Sequence, residues 1–133
     1  MKSDIDFPAV TDVKMAIARS HNDKGESDWH VYVINNKPVK IHNLMIVSKA
    51  FEKEGGGGRS TSTLRHYIEN LEAGDQSKVE RMDPAVFSFY NEFWVSFYIG
   101  RSVFDKKFLI APFAEWEVSE IPELNLSGVV SGS

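Results

Sequence analysis

Residues 86–110, VFSFYNEFWVSFYIGRSVFDKKFLI, hold six of the nine Phe, one of the three Trp and two of the four Tyr in this chain of 133 residues. Aromatics packed so densely along a chain either bury one another or make an adhesive surface. The stretch reads as core. Ile99-Gly100-Arg101-Ser102 has the form of a two-residue hairpin turn with Gly first, the type II′ preference. That turn fixes a register, setting Phe97 opposite Phe104, Val95 opposite Lys106 and Phe93 opposite Phe108 on one face. Trp94 then faces Lys107, Ser96 faces Asp105 and Tyr98 faces Val103 on the other. The first face is the more apolar and is expected in the core. The second is expected to be partly wet, with Lys107 lying over the Trp94 ring. Upstream, a three-residue turn at Tyr90-Asn91-Glu92 is expected to bring Phe89 beside Phe93 and Phe87 beside Val95, because that register buries two Phe rather than Ser88.

The rest of the chain also reads as strands. Residues 1–11 are a lead-in, with Pro8 disfavouring helix around it. Residues 12–20 (DVKMAIARS) alternate Val13, Met15 and Ile17 and are expected to form an edge-like strand. Residues 29–35 (WHVYVIN) are β-branched and aromatic on both faces, as an inner strand requires. The turn cluster Asn35-Asn36-Lys37-Pro38 follows, and residues 40–52, long enough to be bent or bulged, are expected to pair back on 29–35 as a hairpin. Four successive glycines, Gly55–Gly58, lose too much backbone entropy on ordering to make a stable element and are read as a mobile loop. Residues 60–70 form a strand with Leu64, His66 and Ile68 on one side and Thr63, Arg65 and Tyr67 on the other. Residues 76–82 form a polar strand anchored by Val79, broken by Asp83-Pro84. Residues 112–133 are expected to be an extended acidic C-terminal segment, with Leu124, Val129 and Val130 available to pack on the body and 131–133 frayed.

Strands with turn signals every 8–14 residues and no confident helix fit one all-β domain over 1–133, an immunoglobulin-like antiparallel β-sandwich of about seven to eight strands. A small closed barrel is the alternative.

Charge and composition narrow the function classes. The net charge of −4 comes entirely from Glu115, Glu117, Glu120 and Glu123, since the first 107 residues carry 15 charges of each sign. A neutral body with an acidic tail lacks the clustered Lys and Arg that nucleic-acid binding needs. No apolar run is long enough to span a bilayer, and MKSDIDFPAV has no apolar signal region, so the expected location is cytoplasmic, away from membranes. The absence of Cys removes disulfides, thiolate metal ligands and thiol nucleophiles.

Each candidate for chemistry has a plainer explanation. EGGGGRST resembles a phosphate loop only superficially: counting back from Gly58 the first required Gly is Lys53, and the required Lys is Arg59. His21, His30, His42 and His66 sit in no metal-binding spacing, although the expected hairpin would bring His30 and His42 near one another. Ser60-Thr61-Ser62-Thr63 has no nucleophile elbow around it. No catalytic, cofactor-binding or metal residue is assigned. Trp29 and Trp94 lie in apolar strands, whereas Trp116 lies in the acidic PFAEWEVSE segment and is the candidate partner-binding anchor.

DWHVYVIN (28–35), LMIVSKAFE (44–52), TSTLRHYIENL (61–71) and NEFWVSFYIGRSVFDKKFLI (91–110) together resemble a small family of uncharacterised bacterial proteins, some of whose members are labelled phenylalanyl-tRNA synthetase α subunit. The chain has neither the length nor the ATP-clamping arginines of a class II synthetase core, so the label carries no site residues here. The expected function is non-catalytic protein–protein contact or assembly, with a protein partner or a second copy engaged through the sheet edges. The alternatives are a synthetase-linked factor, as the label implies, and a small-ligand binder between the sheets.

Overall fold

The computed structural model describes residues 10–131; residues 1–9 of the lead-in and the final residues 132–133 lie outside them. Among the described residues nine strands form two antiparallel sheets. They are β1 (Val13–His21), β2 (Ser27–Asn35), β3 (Ile41–Phe51), β4 (Leu64–Leu71), β5 (Gln76–Arg81), β6 (Tyr90–Ile99), β7 (Ser102–Ile110), β8 (Ser119–Ile121) and β9 (Leu126–Val130). One sheet has the order β5-β2-β1-β9-β8, the other β4-β3-β6-β7. Their inner faces enclose a single main core that includes Met15, Ile17, Val31, Val33, Leu44, Ile46, Phe93, Phe97 and Phe108. The arrangement is a β-sandwich and not a closed barrel.

The β6–β7 hairpin has the register that its turn dictates. Phe97 pairs with Phe104, Val95 with Lys106 and Phe93 with Phe108, while Trp94 pairs with Lys107 and Tyr98 with Val103. Gly100 supplies the φ of 59° that a first turn position of this type needs, and Arg101 stays out of the left-handed region. Phe93, Phe97 and Phe108 are fully buried, each worth roughly 1.5–3 kcal/mol. Phe97 and Phe104 stack with centroids 5.1 Å apart, and the Lys107 ammonium sits 5.2 Å from the Trp94 ring centre.

Upstream of this hairpin the expected turn at Tyr90-Asn91-Glu92 does not form. Asp83-Pro84 instead starts a 3₁₀ turn over Pro84–Val86: Asp83 Oδ1 accepts the Ala85 N–H at 2.9 Å, and Pro stands where no amide donor is needed. Phe87 still reaches the core, edge-on to Trp29 (4.8 Å) and stacked on Phe113 (4.5 Å). Phe89 stays half-buried with the Arg59 guanidinium 5.8 Å from its ring centre.

Four further expectations are corrected. First, β2 and β3 do not form a hairpin: β2 pairs with β1 and β5, and β3 pairs with β4 and β6. The short link between them crosses from one sheet to the other. Second, β1 is not an edge strand. It lies between β2 and β9, and both its faces are apolar: Met15 and Ile17 face the core, while Ala16 and Ala18 join Tyr32, Ile34 and Ile121 in a smaller cluster under Leu124 and Leu126. Third, the C-terminal segment supplies β8 and β9, so the count rises to nine strands. Ser131 is not frayed: its Oγ accepts the Met15 N–H and donates to the Met15 carbonyl, both at 3.1 Å. Fourth, the strand expected over 60–70 starts at Leu64, and the glycine tract contains a 3₁₀ turn over Glu54–Gly56. That tip is closed by Glu52 N–H to Arg59 O (2.8 Å), Lys53 N–H to Gly57 O (2.9 Å) and a Glu52–Arg59 ion pair at 2.7 Å.

Two residues fix this assembly. Asn35, fully buried at the end of β2, donates through Nδ2 to the carbonyls of Val39 (3.0 Å), Leu71 (3.1 Å) and Glu72 (3.1 Å), and its Oδ1 accepts the Lys37 N–H (3.0 Å). It thereby ties both intersheet crossings at one end of the sandwich, β2 to β3 and β4 to β5. Gly128 of β9 pairs with Ala18 of β1, where an added Cβ would lie 2.1 Å from the Ile17 carbonyl oxygen. Asn35→Ala strips partners from the buried Leu71 carbonyl and from three part-buried backbone groups and is expected to lower unfolding free energy by about 2–3 kcal/mol, since a buried group left unpaired costs roughly 1–3 kcal/mol. Gly128→Val forces β9 away from β1 and is expected to cost about 2–3 kcal/mol, in the upper range for overpacking. Urea unfolding followed by Trp fluorescence measures both.

Candidate functional site

Two regions bring together side chains that could meet a partner or ligand. The first is the solvent face of the four-stranded sheet. Its strands alternate, so the side chains between the core positions of β3, β4, β6 and β7 all point outward. Strand pairing aligns them in rows: Tyr67, Met45, Ser96 and Asp105 across one, and Arg65, Val47, Trp94 and Lys107 across the next. Tyr98 and Val103 extend the face at one end and Leu109 at the other. Tyr67 is 56% exposed and Trp94 49%, and Met45, Tyr98, Val103 and Leu109 are exposed as well. Charged residues rim the patch: Lys107 lies 3.9 Å from Glu92. Tyr67 donates to Asn43 Oδ1 at 2.7 Å. Asn43, at φ 49°, sits at the irregularity where the β3–β6 register shifts, so the bend expected in this long strand is present.

The second region is a cleft of about 220 Å³ between β4 and β5, the facing edges of the two sheets. Its central group is Glu80. A bulge in β5 makes this possible: Val31 pairs with Glu80 and Tyr32 with Lys78, leaving Val79 unpaired between them. In such a bulge two successive residues point to the same side of the sheet. Val79 anchors on the core as expected, and Glu80, which simple alternation would send outward, turns between the sheets. Its side chain is only 12% exposed. Glu80 Oε1 accepts from Ser48 Oγ at 2.7 Å and lies 2.8 Å from His66 Nε2. The contact order is Ser–Glu–His, with the carboxylate in the middle. A nucleophilic relay needs the imidazole between hydroxyl and acid, so this trio works as a clasp joining β3 and β4 to β5.

The sequence candidates are distributed elsewhere. His30 and His42 lie in different sheets and do not approach as the expected hairpin required. Among the described residues no cluster of three or more His, Asp or Glu is placed to hold a metal ion. Among the same residues no helix is long and apolar enough to cross a membrane. Trp116 sits on a 3₁₀ turn over Glu115–Glu117 and is 86% exposed, on a loop where Glu117 Oε1 accepts the Ala114 N–H at 2.7 Å. The acidic tail is not simply solvated: Glu123 pairs with Lys14 at 3.3 Å and accepts from Asn36 Nδ2 at 2.7 Å. The Asn36 bond, followed by a backbone bond and the Lys14 contact, holds its carboxyl below the usual range.

On the outer face of the five-stranded sheet, Arg81 Nε lies 3.3 Å from Asp28 Oδ1, and His30 Nδ1 lies 4.0 Å from Asp28 Oδ2. Burial, reinforced by Lys78 and Arg81 and opposed by Asp28, pushes the His30 imidazole below its ordinary 6.5. No family model, curated protein or solved structure matches the chain.

The depressed His30 value has a defined sign. The unfolded chain takes up this proton near pH 6.5 and the folded protein only below that, so His30 subtracts stability as pH falls through this window. His30→Gln is expected to lose less stability than wild type between neutral pH and pH values below 6.5, read as the shift of the urea midpoint across that range.

Proposed function

We propose that this chain is a non-catalytic, immunoglobulin-like domain that makes protein–protein contacts through the solvent face of β4-β3-β6-β7. The observation that carries the reading is the set of exposed Tyr67, Met45, Trp94, Tyr98, Val103 and Leu109 spread over one sheet face. Scattered apolar side chains are normal on a surface; a contiguous patch rimmed by charge is the mark of an interaction site. Aromatic residues and Met are also the types enriched at interface centres. The strand order supports the immunoglobulin-like assignment. The first seven strands divide as β5-β2-β1 and β4-β3-β6-β7, a Greek-key sequence in which consecutive strands switch sheets after β2, β4 and β5. The β8–β9 hairpin is then an addition beside the first strand.

This reading moves the contact from the sheet edges to a sheet face. Trp116, the other exposed candidate, lies on a different part of the surface. The test is a comparison of variants. Trp94→Ala combined with Tyr98→Ala removes two exposed rings without touching the core, and surface changes of this kind leave stability within about 0.5 kcal/mol. The double variant is expected to lose the complexes or self-association that wild type forms, read by sedimentation velocity and cross-linking in native extract, while Trp116→Ala retains them. Retention of every complex in the double variant would remove the face from consideration.

A further inference from the structure

We propose that the β4–β5 cleft is a binding site for a small aliphatic ammonium compound, with the cationic head on Glu80 and the hydrocarbon chain against Met82, Val86 and Phe93. This site is separate from the exposed face and does not rest on that reading.

Four observations support it. The cleft is a real volume, about 220 Å³, below the ~300–1,000 Å³ of sites for drug-sized molecules and suited to a shorter ligand. Its charged group is a carboxylate with spare capacity. Glu80 Oε1 is occupied by Ser48 and His66, whereas Oε2 has no hydrogen-bond partner among the described residues. A carboxylate offers about four acceptor positions, and one buried to this degree gains from a charged donor more than an exposed one does. The cations near the cleft are drawn off it. Lys49 lies over the Phe51 ring at 5.3 Å, and Arg81 reaches Asp28 on the outer face of the other sheet. The remaining lining is mostly apolar or hydroxylic, Ala50, Leu64, Met82, Val86 and Phe93 with Thr61 and Ser62; its other polar members are Asp83 and Asn91, the latter donating to the Val86 and Phe89 carbonyls. An apolar wall beside the inward-turned Glu80 carboxylate orients a ligand that has one apolar and one cationic end. A divalent cation is a poorer fit, because it requires several oxygen ligands and Asp83 Oδ1 is already committed to capping the Ala85 amide.

Titration with n-pentylammonium chloride, followed by amide chemical shifts in ¹H–¹⁵N spectra, tests the assignment. Saturable shifts are expected at residues 61–64 and 80–86. The isosteric neutral probe 1-pentanol should bind about tenfold more weakly, the factor that corresponds to losing one charge-assisted bond. Glu80→Gln should abolish the preference for ammonium over alcohol. Because Glu80 also clasps the two sheets, Ser62→Trp provides an independent variant: Ser62 is exposed at the rim, and an indole there closes the mouth without altering the clasp, so binding should be lost in a folded protein. Equal binding of the two probes, shifts that do not saturate, or undiminished binding in Ser62→Trp would each overturn the proposal.

Discussion

One buried side-chain amide holds the sandwich in its topology. The chain leaves the five-stranded sheet after β2, returns after β4 and leaves again after β5. The first two of these crossings meet at Asn35, whose Nδ2 and Oδ1 satisfy backbone groups from both. The turns of these crossings leave carbonyls that no ladder can pair, and groups left unpaired where the turns meet the core are costly. An apolar residue at this position would leave them stranded. Once the crossings are secured, β2 is committed to β1 and β5, β3 to β4 and β6, and the two inner faces are brought into opposition.

The legible parts of the sequence were those governed by local geometry. Gly100 marks a two-residue turn, and a two-residue turn leaves no freedom in pairing, so every cross-strand partner from Phe93 to Phe108 followed from it. Val13, Met15 and Ile17 declared a strand by alternation. What alternation could not supply was the identity of neighbours. The apolar run of β2 showed that it was internal, but adjacency along the chain favoured β3 as its partner, and only the intersheet hydrogen bonds of Asn35 decide otherwise. The central place of β1 was written in Ala16 and Ala18, whose small outward side chains accept the cover of Leu124 and Leu126. It was also written in Gly128, which lets the last strand approach closely. Those signals lie more than a hundred residues from the strand they complete.

The candidate sites were hidden for a related reason. Trp94 and Tyr98 were recognisable as a wet face of one hairpin, but Met45 and Tyr67 join them only through the pairing of β3 with β6 and β4. Glu80 was disguised by regularity. Lys78-Val79-Glu80-Arg81 reads as an exposed strand with one inward Val, and a single unpaired residue turns the next carboxylate between the sheets. A bulge carries no compositional mark at this position, so the polar clasp of Ser48, Glu80 and His66 emerges only from three-dimensional pairing. Trp116 was singled out by composition alone, and its nearly complete exposure leaves that role available.

The seating of Ser131 on Met15 joins groups 116 residues apart in sequence. Pairings of such separation carry the largest loop-closure entropy and form late, so they slow folding more than they limit stability. A ribosome delivering this chain exposes β1 long before β9 exists. Until then, one side of β1 presents unpaired amides and carbonyls beside Ala16 and Ala18, an edge able to accept a foreign strand. The β8–β9 hairpin therefore acts as a closing step for a nascent chain: what is an interior strand in the folded domain stays an open border until that hairpin arrives.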